Sequence, residues 1–341
     1  MVGYILPINC MKIVYYTLLI GLILCPFFQI AAQQEVNYTL YRYHLNLINP
    51  ATTGTQGAPF VNLSLRTQWV GIEDAPETQA ISIGRPHRND RLGTGFSVIN
   101  DRTFVENQTQ LFLDFSYRLP LGTNRDLFLG LKAGGTSIRL HADRLETFQS
   151  NIPDPFLQST SSFVPNFGVG VYYKTNRYFL SLSIPRLLET RRFREENGIY
   201  SQATDRPHLF LSSGYRMGLA TNWDFNPSVL FSYVEAAPFE FLLDANFTYK
   251  ERLNLGAQYT RSGGIGATTS LHISDGMQLG YAYITSITDQ VNQFSNGTHE
   301  MILKIKLDQN INEARAASFT TELKGDSGRR ANERRVGTKN D

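Results

Sequence analysis

Between residues 60 and 308 apolar and polar side chains alternate through segment after segment, the period-2 signature of strands with two unlike faces. The clearest segment sets Phe239, Phe241, Leu243, Ala245, Phe247 and Tyr249 against Glu240, Asp244, Asn246, Thr248 and Lys250. Residues 108–119, 252–260 and 299–307 repeat the pattern, and fourteen such segments can be counted. Alternation alone also fits a soluble β-sandwich, so it does not name the solvent on each face.

The links between segments narrow the choice. After even-numbered segments they are mostly tight, at Thr175-Asn176, Lys250-Glu251 and Asp275-Gly276, with wider ones at 86–91, 120–125 and 218–221. After odd-numbered segments come 71–76, 102–107, 140–161, 186–206 and 287–297, with a short link at 262–264. Short periplasmic turns alternating with longer external loops, and an even strand count, are features of outer-membrane barrels. In lipid every backbone donor must be paired, so strands cross a membrane only as a closed barrel. The sequence therefore predicts an all-β fold: a transmembrane antiparallel β-barrel of about 14 strands with both chain ends on the periplasmic side.

Composition agrees with that picture. Charged residues make up 18% of the chain, below the roughly 25% usual for soluble domains, and aromatics make up 12%. The net charge of +2 and the lack of a basic tract in the body of the chain speak against nucleic acid as a partner. Cys10 and Cys25 both lie near the N-terminus, so a processed chain carries no thiol chemistry.

One segment, Ile13 to Ile30, is apolar and long enough to enter a membrane as a helix; it follows Met11-Lys12 and ends in Ala31-Ala32. Residues 1–32 read as a signal peptide, with Met11 as an alternative start. A retained anchor is the competing reading, weakened by Pro26 and the absence of a second span. Residues 33–59 are expected to form a periplasmic N-terminal segment or a plug, 60–308 the barrel, and 309–341 a polar, disordered periplasmic tail.

Motifs along the mature chain resemble the PorP/SprF family of type IX secretion system membrane proteins of the Bacteroidetes. The likeness starts at Asn49-Pro50-Ala51 with Gly54, runs through Arg66-Thr67-Gln68-Trp69-Val70-Gly71 and Ala75-Pro76-Glu77-Thr78, and includes Gly93-Thr94-Gly95 and Asn100-Asp101. Later pieces are Asp154-Pro155, Asn226-Pro227-Ser228, Leu279-Gly280-Tyr281-Ala282-Tyr283 and His299-Glu300-Met301-Ile302-Leu303. The resemblance implies an outer-membrane protein that works with the type IX export and gliding machinery. Its implied partners are other components of that machinery, or a secreted surface protein or adhesin held at the cell surface. It brings no catalytic residues.

The residues themselves give little sign of an enzyme. The six histidines are scattered singly without metal-ligand spacing, and Gly263-Gly264-Ile265-Gly266 lacks the Lys-Ser/Thr of a phosphate loop. No cofactor or metal is expected. Arg66, Arg118, Lys132, Asp114, Asp244, Glu240, Lys304 and Lys306 fall on the lumen side of the alternation, where mixed charges pair or line water. Arg66 and Gln68 are expected to face the lumen and Trp69 to face outer-membrane lipid near the external interface. Together with Glu73, Asp74, Pro76, Asn100, Asp101 and His299 they form the predicted docking rim for an exported partner. Girdle and packing roles are the competing account of these residues. A passive porin or small-solute channel is the alternative function, since a barrel of this size has room for an aqueous lumen.

Overall fold

The computed structural model describes residues 39–88, 91–141, 160–196, 199–262, 264–285 and 294–307. The predicted signal peptide, the C-terminal tail, Asp154-Pro155 and residue 263 lie outside the described residues.

In chain order the strands are β1 (Phe60–Thr67), β2 (Glu77–Pro86), β3 (Leu92–Thr103), β4 (Glu106–Gly122), β5 (Arg125–Leu140) and β6 (Thr160–Thr175). There follow β7 (Tyr178–Ile184), β8 (Thr190–Glu196), β9 (Ile199–Asp205), β10 (His208–Tyr215), β11 (Met217–Ala220) and β12 (Trp223–Val234). The last are β13 (Glu240–Tyr249), β14 (Leu253–Thr260), β15 (Gly264–Ser274), β16 (Met277–Thr285) and β17 (Thr298–Lys306). Every pairing is antiparallel between chain neighbours, and two contacts close the ring: β1 with β17, and β10 with both β7 and β12. Strands β10 and β11 are two halves of one stave interrupted at Arg216, because both pair with β12. The closed barrel thus has the predicted 14 staves.

The faces are inverted relative to a soluble protein. On β13 Leu243 and Phe247 are exposed, while Asp244 and Asn246 between them are buried. Lipid provides the apolar environment outside, so the hydrophobic residues turn outward and the polar ones line the lumen. Aromatic residues mark both rims. Trp223 packs on Tyr249 at 4.8 Å near the periplasmic end, and Phe239 carries the Arg261 guanidinium 4.6 Å above its ring near the external end.

In the link 186–206, expected as a plain loop, β8 and β9 form a separate two-stranded hairpin. Its first strand reads Thr-Arg-Arg-Phe-Arg-Glu-Glu, with none of the apolar alternation that revealed the barrel staves.

The lumen is filled from within the chain. Three short helical turns, Tyr41–Tyr43, Leu45–Ile48 and Pro50–Thr52, run through it before β1 begins. Tyr41 and Ile48 join Phe210, Leu230 and Leu242; Leu40 joins Ala282 and Ile302; Leu47 joins Ala80 and Ile99; Ala51 joins Phe128 and Tyr172. The plug has a direction. Thr39 is held by Gln258 and Glu300, each two residues from the external end of its strand, whereas Gly54 lies against Gly93 at the periplasmic end. The first described residue therefore stands on the external side of the lumen; the two chain ends, expected on the periplasmic side, lie outside the described residues.

Candidate functional site

Two regions meet at the external half of the barrel: the plugged lumen and a crest of loops above it.

The plug is seated by shape and by hydrogen bonds. A Cβ on Gly130 would stand 2.5 Å from the Ala51 Cα and 2.6 Å from the Pro50 carbonyl carbon, so only glycine lets the plug backbone lie on β5. A Cβ on Gly170 of β6 would stand 2.9 Å from the Asn49 amide carbon. Into the space so made Asn49 inserts its amide, donating to the Val171 carbonyl at 3.0 Å and to the Ser181 hydroxyl at 2.7 Å, while its Oδ1 accepts the Ala51 N–H at 2.9 Å. That last bond caps the turn Pro50–Thr52, and Pro50 at its first position needs no donor there. The Asn-Pro-Ala motif is thus a capped turn shaped to the barrel wall.

Charge is paired inside the lumen. The Lys132 ammonium lies 2.7 Å from the Asp114 carboxylate, with both side chains buried, and 5.3 Å from the centre of the Phe112 ring. Arg42 of the plug reaches Asp244 of β13 at 3.4 Å and donates to the Asn226 carbonyl at 3.0 Å. The Glu300 carboxylate accepts the N–H groups of Thr39 at 2.8 Å and Leu40 at 3.1 Å, and stands opposite Arg66 in register. The His44 ring of the plug is fully buried. Loss of solvent, with the Lys304 charge adding to it, pushes its pKa down to about 3, so at neutral pH the ring is uncharged. Below Tyr43 and Arg42 a polar vestibule of about 380 Å³ remains, lined at its lower end by Arg216, Asp224 and Glu251.

The crest is one hydrogen-bonded unit. Val70 N–H donates to the Gly297 carbonyl, Asn296 N–H returns to the Val70 carbonyl, and Phe104 N–H donates to the Asp74 carbonyl. The loop 68–76 is thereby tied to segment 294–297 on one side and to the β3–β4 turn on the other. Asp74 also meets Arg102 at 3.4 Å. Trp69, Asp74 and Phe104 all adopt left-handed backbone angles, with φ of 48°, 53° and 52°, a conformation that costs a non-glycine residue about 1–2 kcal/mol. Phe104 and Phe294 are 52% and 75% exposed.

The predicted rim residues fall into three places. Gln68, Trp69, Glu73, Asp74 and Pro76 lie in the crest loop. Asn100 and His299 sit on strands below it: Asn100 accepts the Thr109 hydroxyl at 3.0 Å, and His299 meets the Tyr281 hydroxyl at 2.7 Å and the Tyr283 ring at 5.2 Å. Arg66 is buried, and Asp101 accepts the Thr78 hydroxyl at 2.7 Å beside it. The structure therefore gathers the loop residues into one surface and leaves Arg66 and Asp101 within the wall. Sequence reasoning missed Phe104, Phe294 and the plug contacts of Glu300. A glutamate ahead of the apolar run Met301-Ile302-Leu303 was the available sign of the last. Among the described residues no group of three His, Cys, Asp or Glu side chains is placed to hold a metal ion.

The family model for the type IX secretion system membrane protein PorP/SprF matches residues 30–305, a span that takes in the plug and all the barrel staves. The chain belongs to the PorP/SprF family. It is an outer-membrane protein, and its family associates it with the type IX secretion machinery. None of the curated proteins compared matches it. Among solved structures it is similar to the Acinetobacter baumannii outer membrane protein Omp33, at 9% identity and a TM-score of 0.43 over 74% of this chain and 100% of that one. A Pseudomonas aeruginosa FadL homologue is similar at 11% identity and 0.41, over 75% and 91%. The CymD monoaromatic hydrocarbon channel is similar at 11% and 0.41, over 80% and 93%.

Proposed function

We propose that this PorP/SprF member is a non-catalytic secretion partner that holds an exported surface protein or adhesin at the outer membrane, with the external crest as the docking surface. The observation that carries the reading is the crest itself: loop 68–76 braced on both flanks, with exposed aromatic rings at Phe104 and Phe294. Aromatic anchors held on a rigid frame are what protein interfaces use for most of their binding energy. The plug counts against the rival reading, a passive porin, because buried side chains of residues 39–53 occupy the space a solute would cross.

Deleting residues 72–75 tests the proposal. The barrel should assemble, with unchanged heat-dependent mobility on gels, and the large surface protein that co-purifies with the intact chain should be lost. Unchanged retention of that protein, or open-pore conductance of the intact chain in planar bilayers with no partner attached, overturns it.

A further inference from the structure

We infer that the lumen is a polypeptide-binding site in its own right, and that residues 39–55 are a resident ligand in cis which another segment with an Asn-Pro-Ala turn can replace. The inference goes beyond docking at the crest and rests on how the wall meets the plug. Within the plug, the helical turns use up part of the backbone's hydrogen-bonding capacity: Tyr43 N–H bonds to the Leu40 carbonyl, His44 to Tyr41, Leu47 to His44, and Thr53 to Pro50. Side chains of the wall supply partners for seven more main-chain groups. Glu300 accepts two successive N–H groups. Gln258 donates to the Thr39 carbonyl at 2.8 Å, Asn62 to Tyr43 at 3.3 Å, Lys132 to Asn46 at 3.4 Å, Ser183 to Ile48 at 2.8 Å, and Ser116 to Thr53.

These contacts come from six strands spread around the barrel, and each is made to the main chain. A wall that reads main-chain groups reads polypeptide as a chemical class, and side-chain identity enters at Asn49-Pro50-Ala51, where glycines fix the fit, and at Tyr41, Arg42 and Tyr43, which meet Ser228, Asp244 and Ser270. A second observation points the same way. Asn62 Oδ1 and the hydroxyls of Ser82, Ser97 and Ser212 are buried without a hydrogen-bond partner while the plug is in place. Buried polar groups are ordinarily satisfied, so the wall offers more capacity than the resident segment takes up.

The test uses the folded full chain with a protease site inserted beside Gly57, an exposed glycine at the periplasmic mouth with nothing near its α-carbon. After cutting, the complex is warmed until the plug leaves, and a fluorescent, N-acetylated peptide of residues 39–56, whose Thr39 nitrogen is an amide as in the chain, is added to the purified barrel. No secretion partner is present, so the result is independent of the crest proposal. The expected result is saturable one-to-one capture of the peptide, weakened at least tenfold when the amides of Thr39 and Leu40 are N-methylated, since the two donors to Glu300 are then gone. A plug that leaves only as the barrel melts overturns the inference. So does an emptied barrel that captures no peptide, and so does N-methylation without effect.

Discussion

Replacing Gly130 by alanine sets one methyl group against the plug backbone, and the structure allows its consequence to be worked out. The new Cβ would stand 2.5 Å from the Ala51 Cα and 2.6 Å from the Pro50 carbonyl carbon, distances that force the plug to retreat. The strand itself suffers nothing, because alanine is favoured over glycine in a strand by roughly 0.5–1 kcal/mol. Overpacking of one methyl group costs about 1–3 kcal/mol. Against it stands the burial of Leu40, Tyr41, Leu47 and Ile48, which at roughly 1.5–3 kcal/mol each gives an upper bound of about 6–12 kcal/mol. Burial wins, so the plug stays in the lumen and only the Asn49–Thr53 end unseats. Amide exchange at Thr52 and Thr53, whose N–H groups bond to the Asn49 and Pro50 carbonyls, should therefore quicken by about 5- to 150-fold. Exchange at His44 and Leu47 should change by less than about threefold. Hydrogen exchange read by mass spectrometry on the barrel in detergent makes the measurement. Unchanged protection at Thr52 and Thr53, or uniform loss across residues 39–55, would refute the reasoning.

Other perturbations follow from the same geometry. The His44 pKa of about 3 in the seated plug lies below the ordinary 6.5, so its contribution is complete above about pH 6.5 and is lost as the pH falls toward 3. The His44 contribution alone should be about 2 kcal/mol weaker at pH 5 than at pH 7.5, and His44→Asn should remove that part of the pH dependence in exchange measurements. Asp114→Ala strands the buried Lys132 ammonium and should cost about 3–5 kcal/mol. The double change Asp114→Leu with Lys132→Met should recover most of that loss in thermal unfolding; equal loss in both variants would contradict the pairing. Phe104→Gly relieves a left-handed residue and should leave the barrel as stable or about 1 kcal/mol more so, while partner retention falls. Retained binding in this variant would remove Phe104 from the docking surface.

The staves were legible because lipid imposes a strict rule on each of them. Outward residues such as Leu243 and Phe247 must be apolar, inward ones such as Asp244 and Asn246 face other polar groups, and the two demands alternate at the period of the strand. Turn chemistry was legible for the same local reason at Thr175-Asn176 and Asp275-Gly276. The plug was not. Its bonds to Glu300 join residues 260 and 261 positions apart, and its three short turns carry no period long enough to read. The sign of it lay in the wall: Gly130 and Gly170 occupy lumen-facing strand positions where a side chain would otherwise strengthen the sheet. Arg66 and Asp101 show the opposite failure. Alternation placed Arg66 inward correctly, yet its motif with Gln68-Trp69 joined it to the crest, and Asp101 was joined by its place beside the next external link, 102–107.

Asn49-Pro50-Ala51 sits inside the lumen against β5 and β6 and the loop after Arg66 at the external rim, yet both belong to one chain of contacts: Ala51 against β5, Asn46 on Lys132, Lys132 on Asp114 of β4, and β4 rising to the turn that carries Phe104. Each contact on this path is buried or backbone-mediated, so it is not weakened by solvent or salt as surface pairs are. If the proposed crest docking is coupled to the plug along this path, Gly130→Ala, which unseats the Asn49–Thr53 end of the plug while sparing the strand, should lower partner retention, and unchanged retention rules the coupling out. Retention measured alongside amide exchange in the same variant decides it.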